Sequence, residues 1–220
     1  MSRGAAAARR WVCLDVGETL IEETRAWGAW ADDLGIPRLT FFAVLGAIVA
    51  RGGDQSEVFD AFGVSDWHAR RDRVEMAFGG FQPPDLYPDA LSCVDRLRAD
   101  GYGVAVVANQ PASRRDELLA LGLKADVVAM SEALGVYKPT TAFYERVLEL
   151  TGAKLARDVA YVGDRIDNDV IPSAAAGMRP VWLRRGPWGH LQSLPPFTGA
   201  LVVDSLDELI ERLDEVWAGA

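Results

Sequence analysis

The sequence predicts an α/β fold: a doubly wound, mostly parallel sheet with a small all-helical domain inserted after its first strand. Three observations lead there. Short apolar runs, most of them β-branched, lack the polar alternation of half-exposed strands, as strands buried on both faces do. Stretches of helical period separate them, and strand–helix alternation of this kind builds a parallel sheet covered by helices, Rossmann-like in plan. One long stretch breaks the alternation and carries helical patterns only.

Taken in order, the first apolar run is Trp11–Val16. Trp27, Trp30, Ala31 and Leu34 then mark an amphipathic helix. Leu39–Ala50 is apolar on nearly every face, which predicts burial in a helical cluster or an interface. Asp54–Phe62 and Asp66–Phe78 read as two further helices parted by Gly63, and Pro83-Pro84 closes the region. The expected division is a core of residues 1–21 and 86–220 with a helical domain over 22–85. The core resumes with the runs Gly103–Ala108, Asp126–Met130, Val159–Val162, Pro180–Leu183 and Ala200–Val203. Phe143, Val147 and Leu150 fall at i, i+4 and i+7, and Leu206, Leu209, Ile210 and Leu213 repeat that pattern near the C-terminus. Ser205 and Glu208 make a capping-box pair ahead of that last helix. Pro187–Pro196 reads as a proline-rich surface loop.

The chain has 220 residues, 50% hydrophobic and 25% charged. That suffices for one domain and a small insertion without covalent or metal staples. Cys13 and Cys93 are the only cysteines, so there is no disulfide framework, and a reducing cytoplasm is expected. The net charge of −9 argues against general nucleic-acid binding. It also requires that an anionic substrate be met by a local positive site. The longest apolar run, Phe41 to Ala50, falls well short of the roughly twenty residues of a spanning helix. Arg3, Arg9 and Arg10, set around a run of alanines, lack the apolar core of a signal peptide. The expectation is a soluble cytoplasmic protein, monomer or homodimer, with neither nucleic acid nor membrane as a partner.

In open α/β sheets ligands bind beyond the carboxyl ends of the strands. The residues that follow each run are therefore the candidates. Asp15 follows the first, Asn109 the second, Ser131 and then Lys138-Pro139 the third, and Gly163-Asp164-Arg165-Ile166-Asp167-Asn168-Asp169 the fourth. On parallel neighbouring strands these groups converge. A carboxylate can attack phosphorus. Mg²⁺ takes hard oxygen ligands, and a lysine with a metal neutralises the transferring group. Each piece alone has a plainer reading. Asp15 could be a turn residue, Lys138 a loop lysine, and Asp164, Asp167 and Asp169 helix caps. Trp27, Trp30, Trp67 and His68 fit packing of the insertion better than the lining of a lidded pocket. Arg70, Arg71 and Arg73 fit a solvated helix face. Arg165 could partner a carboxylate near a metal. It is the order and strand-end placement together that point to phosphoryl transfer.

The same four segments resemble the motifs of the haloacid dehalogenase-like hydrolase superfamily. Asp15-Val16-Gly17-Glu18-Thr19-Leu20 is similar to the first motif, Asp-x-Asp-x-Thr, with Gly17 at the place of the second aspartate. Ala108-Asn109 is similar to the second, Lys138-Pro139 to the third, and Gly163-Asp164 through Asp169 to the fourth, Gly-Asp-x-x-x-x-Asp. Tyr87-Pro88-Asp89-Ala90, with Leu97 to Tyr102, looks like the family's return to the core. The resemblance runs from about residue 11 to 217 and makes the helical insertion a cap domain. It implies Asp15 as nucleophile and Mg²⁺ ligand, and the main-chain carbonyl of Gly17 as a second ligand. It implies Asp164 as a direct ligand and Asp169 as a direct or water-mediated one. Lys138 would neutralise charge, Asn109 would contact the phosphoryl group, and the substrate would be a small phosphorylated molecule.

Two departures carry consequences. Gly17 keeps a carbonyl for the metal but has no acid–base group, a function worth about 10²–10⁴-fold. Glu18 is nearby but is not expected to substitute. Ala108 lacks the hydroxyl that would bind a phosphoryl oxygen. Three readings follow: a Mg²⁺-dependent phosphatase or phosphotransferase with weakened acid–base catalysis, a dehalogenase-type hydrolase attacking carbon without a metal, or a catalytically inactive binding protein. The acid-rich fourth motif favours the first.

Overall fold

β1 (Trp11–Leu14) lies at the middle of the sheet, with β2 (Gly103–Ala108) on one side and β4 (Val159–Gly163) on the other. A computed structural model gives this architecture for residues 9–196 and 198–218; Arg3 and the alanines after it lie outside the described residues. β3 (Val127–Met130) pairs with β2. β5 (Arg179–Leu183) and β6 (Leu201–Val203) extend the sheet beyond β4, giving the order β3-β2-β1-β4-β5-β6. All neighbours are parallel, and Leu14 stands level with Val106 and Val162. The predicted runs thus become the strands, with ends shifted by a residue or two. β1 stops at Leu14, so Asp15 is already past the strand.

Alternation along β1 explains why these runs carry no polar face. Val12 and Leu14 enter one apolar cluster, and Cys13 enters another on the opposite side of the sheet. The first cluster takes Val94 and Leu97 from the helix Ala90–Ala99 and Leu206 and Leu209 from Leu206–Glu211. The second takes Phe143, Tyr144 and Val147 from Thr141–Thr151. Both faces are covered, as a doubly wound sheet requires.

Between β1 and β2 come α1 (Thr24–Asp33), α2 (Arg38–Ala50), α3 (Glu57–Ala61) and α4 (Trp67–Phe78), with no intervening strand. They enclose an apolar cluster of their own around Phe41, Leu45, Val58 and Phe59. Trp30 and Trp67 each approach Phe59 with ring centroids 4.7 Å apart, so these aromatics pack the helices together. α2 is less uniformly buried than its composition suggests: Phe41, Leu45, Ile48 and Val49 face inward, while Leu39 is exposed. Arg70 and Arg73 of α4 are not simply solvated. Both pair with Asp33 of α1, Arg73 through Nε–Oδ1 at 2.5 Å. Arg25 ties α1 to the exit of this region, with Nε donating to Asp85 Oδ1 at 2.9 Å and the guanidinium also reaching the carbonyls of Phe78 and Gly80.

The expected loop over Pro187–Pro196 is in part a helix, Gly186–Leu191. Pro187 occupies the first turn, where its fixed φ suits a helix start and no N–H is missed. Trp188 anchors the helix by entering the α1–α4 cluster. At the N-cap of the helix Leu206–Glu211, Ser205 Oγ accepts from the Glu208 N–H at 3.0 Å. The returning carboxylate of Glu208 accepts from the N–H of Asp204 rather than of Ser205. Among the described residues no single helix is long and apolar enough to cross a membrane.

Candidate active site

The strand order reverses at β1 and β4, and the crevice beyond their carboxyl ends is where such sheets bind ligands. Asp15 leaves β1 with its N–H donated to the Val162 carbonyl at 2.9 Å, which fixes it beside β4. Asp164 follows β4 directly. Asp169 comes back over the strand end from a wide helical turn, Ile166–Val170. Gly163 makes that return possible, because a Cβ there would collide with the Asp169 carboxylate. Carboxylate oxygens of Asp15, Asp164 and Asp169 all lie within 4.8 Å of one another, and all three residues are buried.

Lys138 is the cation of this cluster. Its Nζ lies 2.7 Å from Asp15 Oδ1 and 2.7 Å from Asp169 Oδ1. Burial alone would push the ammonium toward neutrality, but the two carboxylates outweigh it and raise its pKa. Burial lifts Asp169 to about 6 against the pull of Lys138. Asp164 is raised well above the usual carboxylate range by burial and by the charges of Asp169 and Asp15. Three carboxylates against one ammonium leave an excess of negative charge. Asp164 Oδ2, moreover, is buried without a hydrogen-bond partner. Hard oxygen donors, unpaired charge and an unsatisfied oxygen at one point fit a divalent cation such as Mg²⁺. Asp15, Asp164 and Asp169 are the side chains that could hold it, and the Gly17 main chain belongs to the same loop as Asp15.

Asn109 binds the main chain of Lys138. Its Oδ1 accepts the N–H of Lys138 at 2.8 Å and its Nδ2 donates to the Lys138 carbonyl at 3.0 Å. The carboxamide thus clamps the main chain that carries the lysine, on both sides of Cα. Ala108 lies within the apolar cluster under the sheet. Arg165 pairs by its side chain with Asp167 at 2.6 Å, and its main-chain N–H donates to Asp169 Oδ2 at 2.9 Å. Cys13 is a buried thiol whose pKa burial raises strongly, so it is inert.

Two acids of the first loop matter here: Glu18, which was not expected to substitute for the absent aspartate, and Glu23, which sequence reasoning missed. Glu18 is buried with φ of +49°, a left-handed conformation uncommon outside glycine. Its Oε2 accepts from Tyr87 OH at 2.6 Å and its Oε1 from the N–H of Glu23 at 3.0 Å. Burial raises its pKa, against those two bonds. Glu23 precedes α1, and its carboxyl points back at Gly17: a Cβ on Gly17 would lie 2.5 Å from Glu23 Oε1. Gln110, just after Asn109, donates to that oxygen at 3.2 Å. Part of Glu23 reaches solvent, but its carboxyl end is enclosed. Burial lifts the group to about 7, helped by the charges of Glu18 and Asp15 and opposed by hydrogen bonds from Gln110 and Trp27. The loop is braced from below by Arg185, which donates to the Thr19 carbonyl at 2.9 Å and pairs with Asp89. The one available sequence signal was an acid at the start of the first predicted helix.

Fold and site together define a class: an α/β protein with a buried acid cluster and one lysine at the switch point of a parallel sheet. The family model for haloacid dehalogenase-like hydrolases matches residues 10–177, and the chain belongs to that family. A glyceraldehyde 3-phosphate phosphatase of Methanopyrus kandleri is 32% identical over 134 residues, 59% of this chain and 56% of that protein. The chain spans little more than half the length of the archaeal relatives it matches. A phosphoglycolate phosphatase of Aliivibrio fischeri is 27% identical over 221 residues, 92% of this chain and 95% of the relative. Among solved structures, the magnesium-bound putative HAD-hydrolase YfnB from Bacillus subtilis shares the fold. Its TM-score is 0.72 at 18% identity, with 94% of this chain and 99% of that one covered.

Proposed function

We propose that the chain is a Mg²⁺-dependent phosphatase or phosphotransferase acting on a small phosphorylated molecule, with Asp15 as the nucleophile. The observation that carries this reading is the excess of buried acid: Asp15, Asp164 and Asp169 within 4.8 Å, with Lys138 the one cationic side chain paired with them among the described residues. A carbon–halogen hydrolase that works without a metal has no use for that excess. The phosphatase names of the relatives support the same choice.

The residues divide the work as follows. Asp15 supplies a carboxylate oxygen to phosphorus and carries the phosphoryl group as an aspartyl-phosphate. Lys138 screens the charge on that carboxylate as a dianionic substrate approaches. Asn109 holds the main chain of Lys138, so the ammonium stays in place. Asp164 and Asp169, with Asp15 and the Gly17 carbonyl, would hold Mg²⁺, which when bound supplies further neutralisation of the transferring group. The helices over 22–85 act as a cap domain on the core of 1–21 and 86–220, and their residues select the substrate.

The test is hydrolysis of an aryl phosphate in Mg²⁺, repeated with a chelator, beside halide release from a 2-haloacid. Phosphate release that stops on chelation is expected. Halide release that survives chelation, without phosphatase activity, would replace this reading by the dehalogenase one.

A further inference from the structure

Gly17 leaves room beside the nucleophile, and the carboxyl of Glu23 fills it. A Cβ on Gly17 would stand 2.5 Å from Glu23 Oε1 and 3.1 Å from Oε2. The carboxyl therefore lies where a side chain from position 17 would project. Glu23 immediately precedes α1, at the position where a short side-chain oxygen ordinarily bonds the first-turn N–H groups. Its side chain makes no capping bond to the first-turn N–H groups; the bond it has from α1 comes from the side chain of Trp27. The side chain folds back instead and accepts from Gln110 Nε2 at 3.2 Å, which joins the first loop to the end of β2.

The main chain is arranged to hold it there. The N–H of Glu23 donates to Glu18 Oε1 at 3.0 Å, and Tyr87 OH fixes the other oxygen of Glu18 at 2.6 Å. Glu18 carries φ of +49°. A non-glycine residue keeps such a conformation only where its surroundings over-determine it, and such positions cluster at functional sites. Here the unusual backbone directs a buried carboxylate at the N–H of Glu23.

We propose that Glu23 is the proton-transfer group of this active site, supplying from the start of α1 the carboxyl that position 17 lacks, with Glu18 as its positioning residue. Resting on the aspartyl-phosphate chemistry proposed above, the steps balance. An oxygen of Asp15 bonds to phosphorus as the bond to the leaving oxygen breaks. The carboxyl proton of Glu23 passes to that oxygen, and the alcohol departs. Water then attacks phosphorus, Glu23 takes a proton from it, and the bond between phosphorus and Asp15 breaks. Phosphate leaves, and Glu23 is again protonated. The loss of proton transfer expected from Gly17 alone is thereby made good by another residue.

A graded series of phenyl phosphates tests this, because its members differ in leaving-group acidity but little in shape. Wild type, Glu23→Gln and Gly17→Asp/Glu23→Ala are assayed in Mg²⁺, with intact mass read during turnover. Glu23→Gln is expected to lose less than about tenfold on p-nitrophenyl phosphate and about 10²–10⁴-fold on unsubstituted phenyl phosphate. It should also accumulate the phosphorylated enzyme. Gly17→Asp/Glu23→Ala should recover the poor leaving groups by placing a carboxyl from the other side of the same space. Equal losses across the series, or no loss, would overturn the assignment while leaving the nucleophile intact. An Asp/Ala double variant that folds but recovers nothing would count against it in the same way. Absence of any phosphorylated enzyme in wild type and in Glu23→Gln alike would overturn the parent chemistry and this assignment together.

Discussion

Replacing Lys138 by methionine removes one positive charge and little volume from the acid cluster. The ammonium lies 2.7 Å from an oxygen of Asp15 and 2.7 Å from one of Asp169. At an effective dielectric constant near 20, each such contact is worth at most about 6 kcal/mol of Coulomb energy. Much of this is offset by the cost of burying the charges. Removing one partner of a buried pair nonetheless leaves uncompensated charge, at about 3–5 kcal/mol. With an m-value of about 3 kcal/mol per M, that is a drop of about 1–2 M in the urea midpoint. Urea unfolding of wild type and Lys138→Met, in chelator, reads this directly. Adding Asp169→Asn to Lys138→Met should recover part of the loss, since it removes one of the carboxylates left without a cation. An unchanged midpoint in Lys138→Met, or a further drop in the double variant, would refute the view that the lysine holds these carboxylates together.

Two more outcomes follow from neighbouring contacts. Asp164→Asn should abolish the stabilisation of the folded chain by Mg²⁺, which for wild type reaches about 2.7 kcal/mol when the ion is at 100 times its Kd; thermal unfolding across a Mg²⁺ titration measures it without reference to activity. Asp85→Asn should cost about 1.5–3 kcal/mol at neutral pH by breaking the charged hydrogen bonds from Arg25. Burial would raise the Asp85 carboxyl, but bonds from Arg25 and the Gln82 N–H hold it below its ordinary 3.8. Its contribution is therefore complete above about pH 4 and fades as pH falls through the depressed folded value. Denaturation at pH 7 and near pH 3 should show the variant's deficit shrinking in acid.

The sheet was legible because each strand is buried on both faces, which leaves an uninterrupted apolar run such as Val104–Val107. The helical stretch between β1 and β2 was legible from the spacing of Trp27, Trp30 and Leu34 and from the absence of any such run. Convergence of Asp15, Lys138, Asp164 and Asp169 followed from the rule that parallel strands deliver their following residues to one edge. What the pattern hid is local and three-dimensional. Glu23 reaches the space beside Gly17 only because Glu18 adopts a left-handed backbone and binds its N–H, and no periodicity encodes that. The clamp of Asn109 on the main chain of Lys138 joins two residues 29 apart in the chain, and no local pattern encodes it. Trp188 sits in a segment rich in proline and glycine that resembles a loop, and its helix forms because the indole has a cluster to enter.

The central claim is that Asp15 is a nucleophile toward phosphorus. It is tested most directly by intact-mass measurement after incubating wild type and Asp15→Asn with an aryl phosphate and Mg²⁺. The account predicts an added phosphoryl group on wild type, mapped to Asp15 and absent from the variant. Phosphate release with no adduct on wild type or on Glu23→Gln, or an adduct that persists in Asp15→Asn, would contradict it.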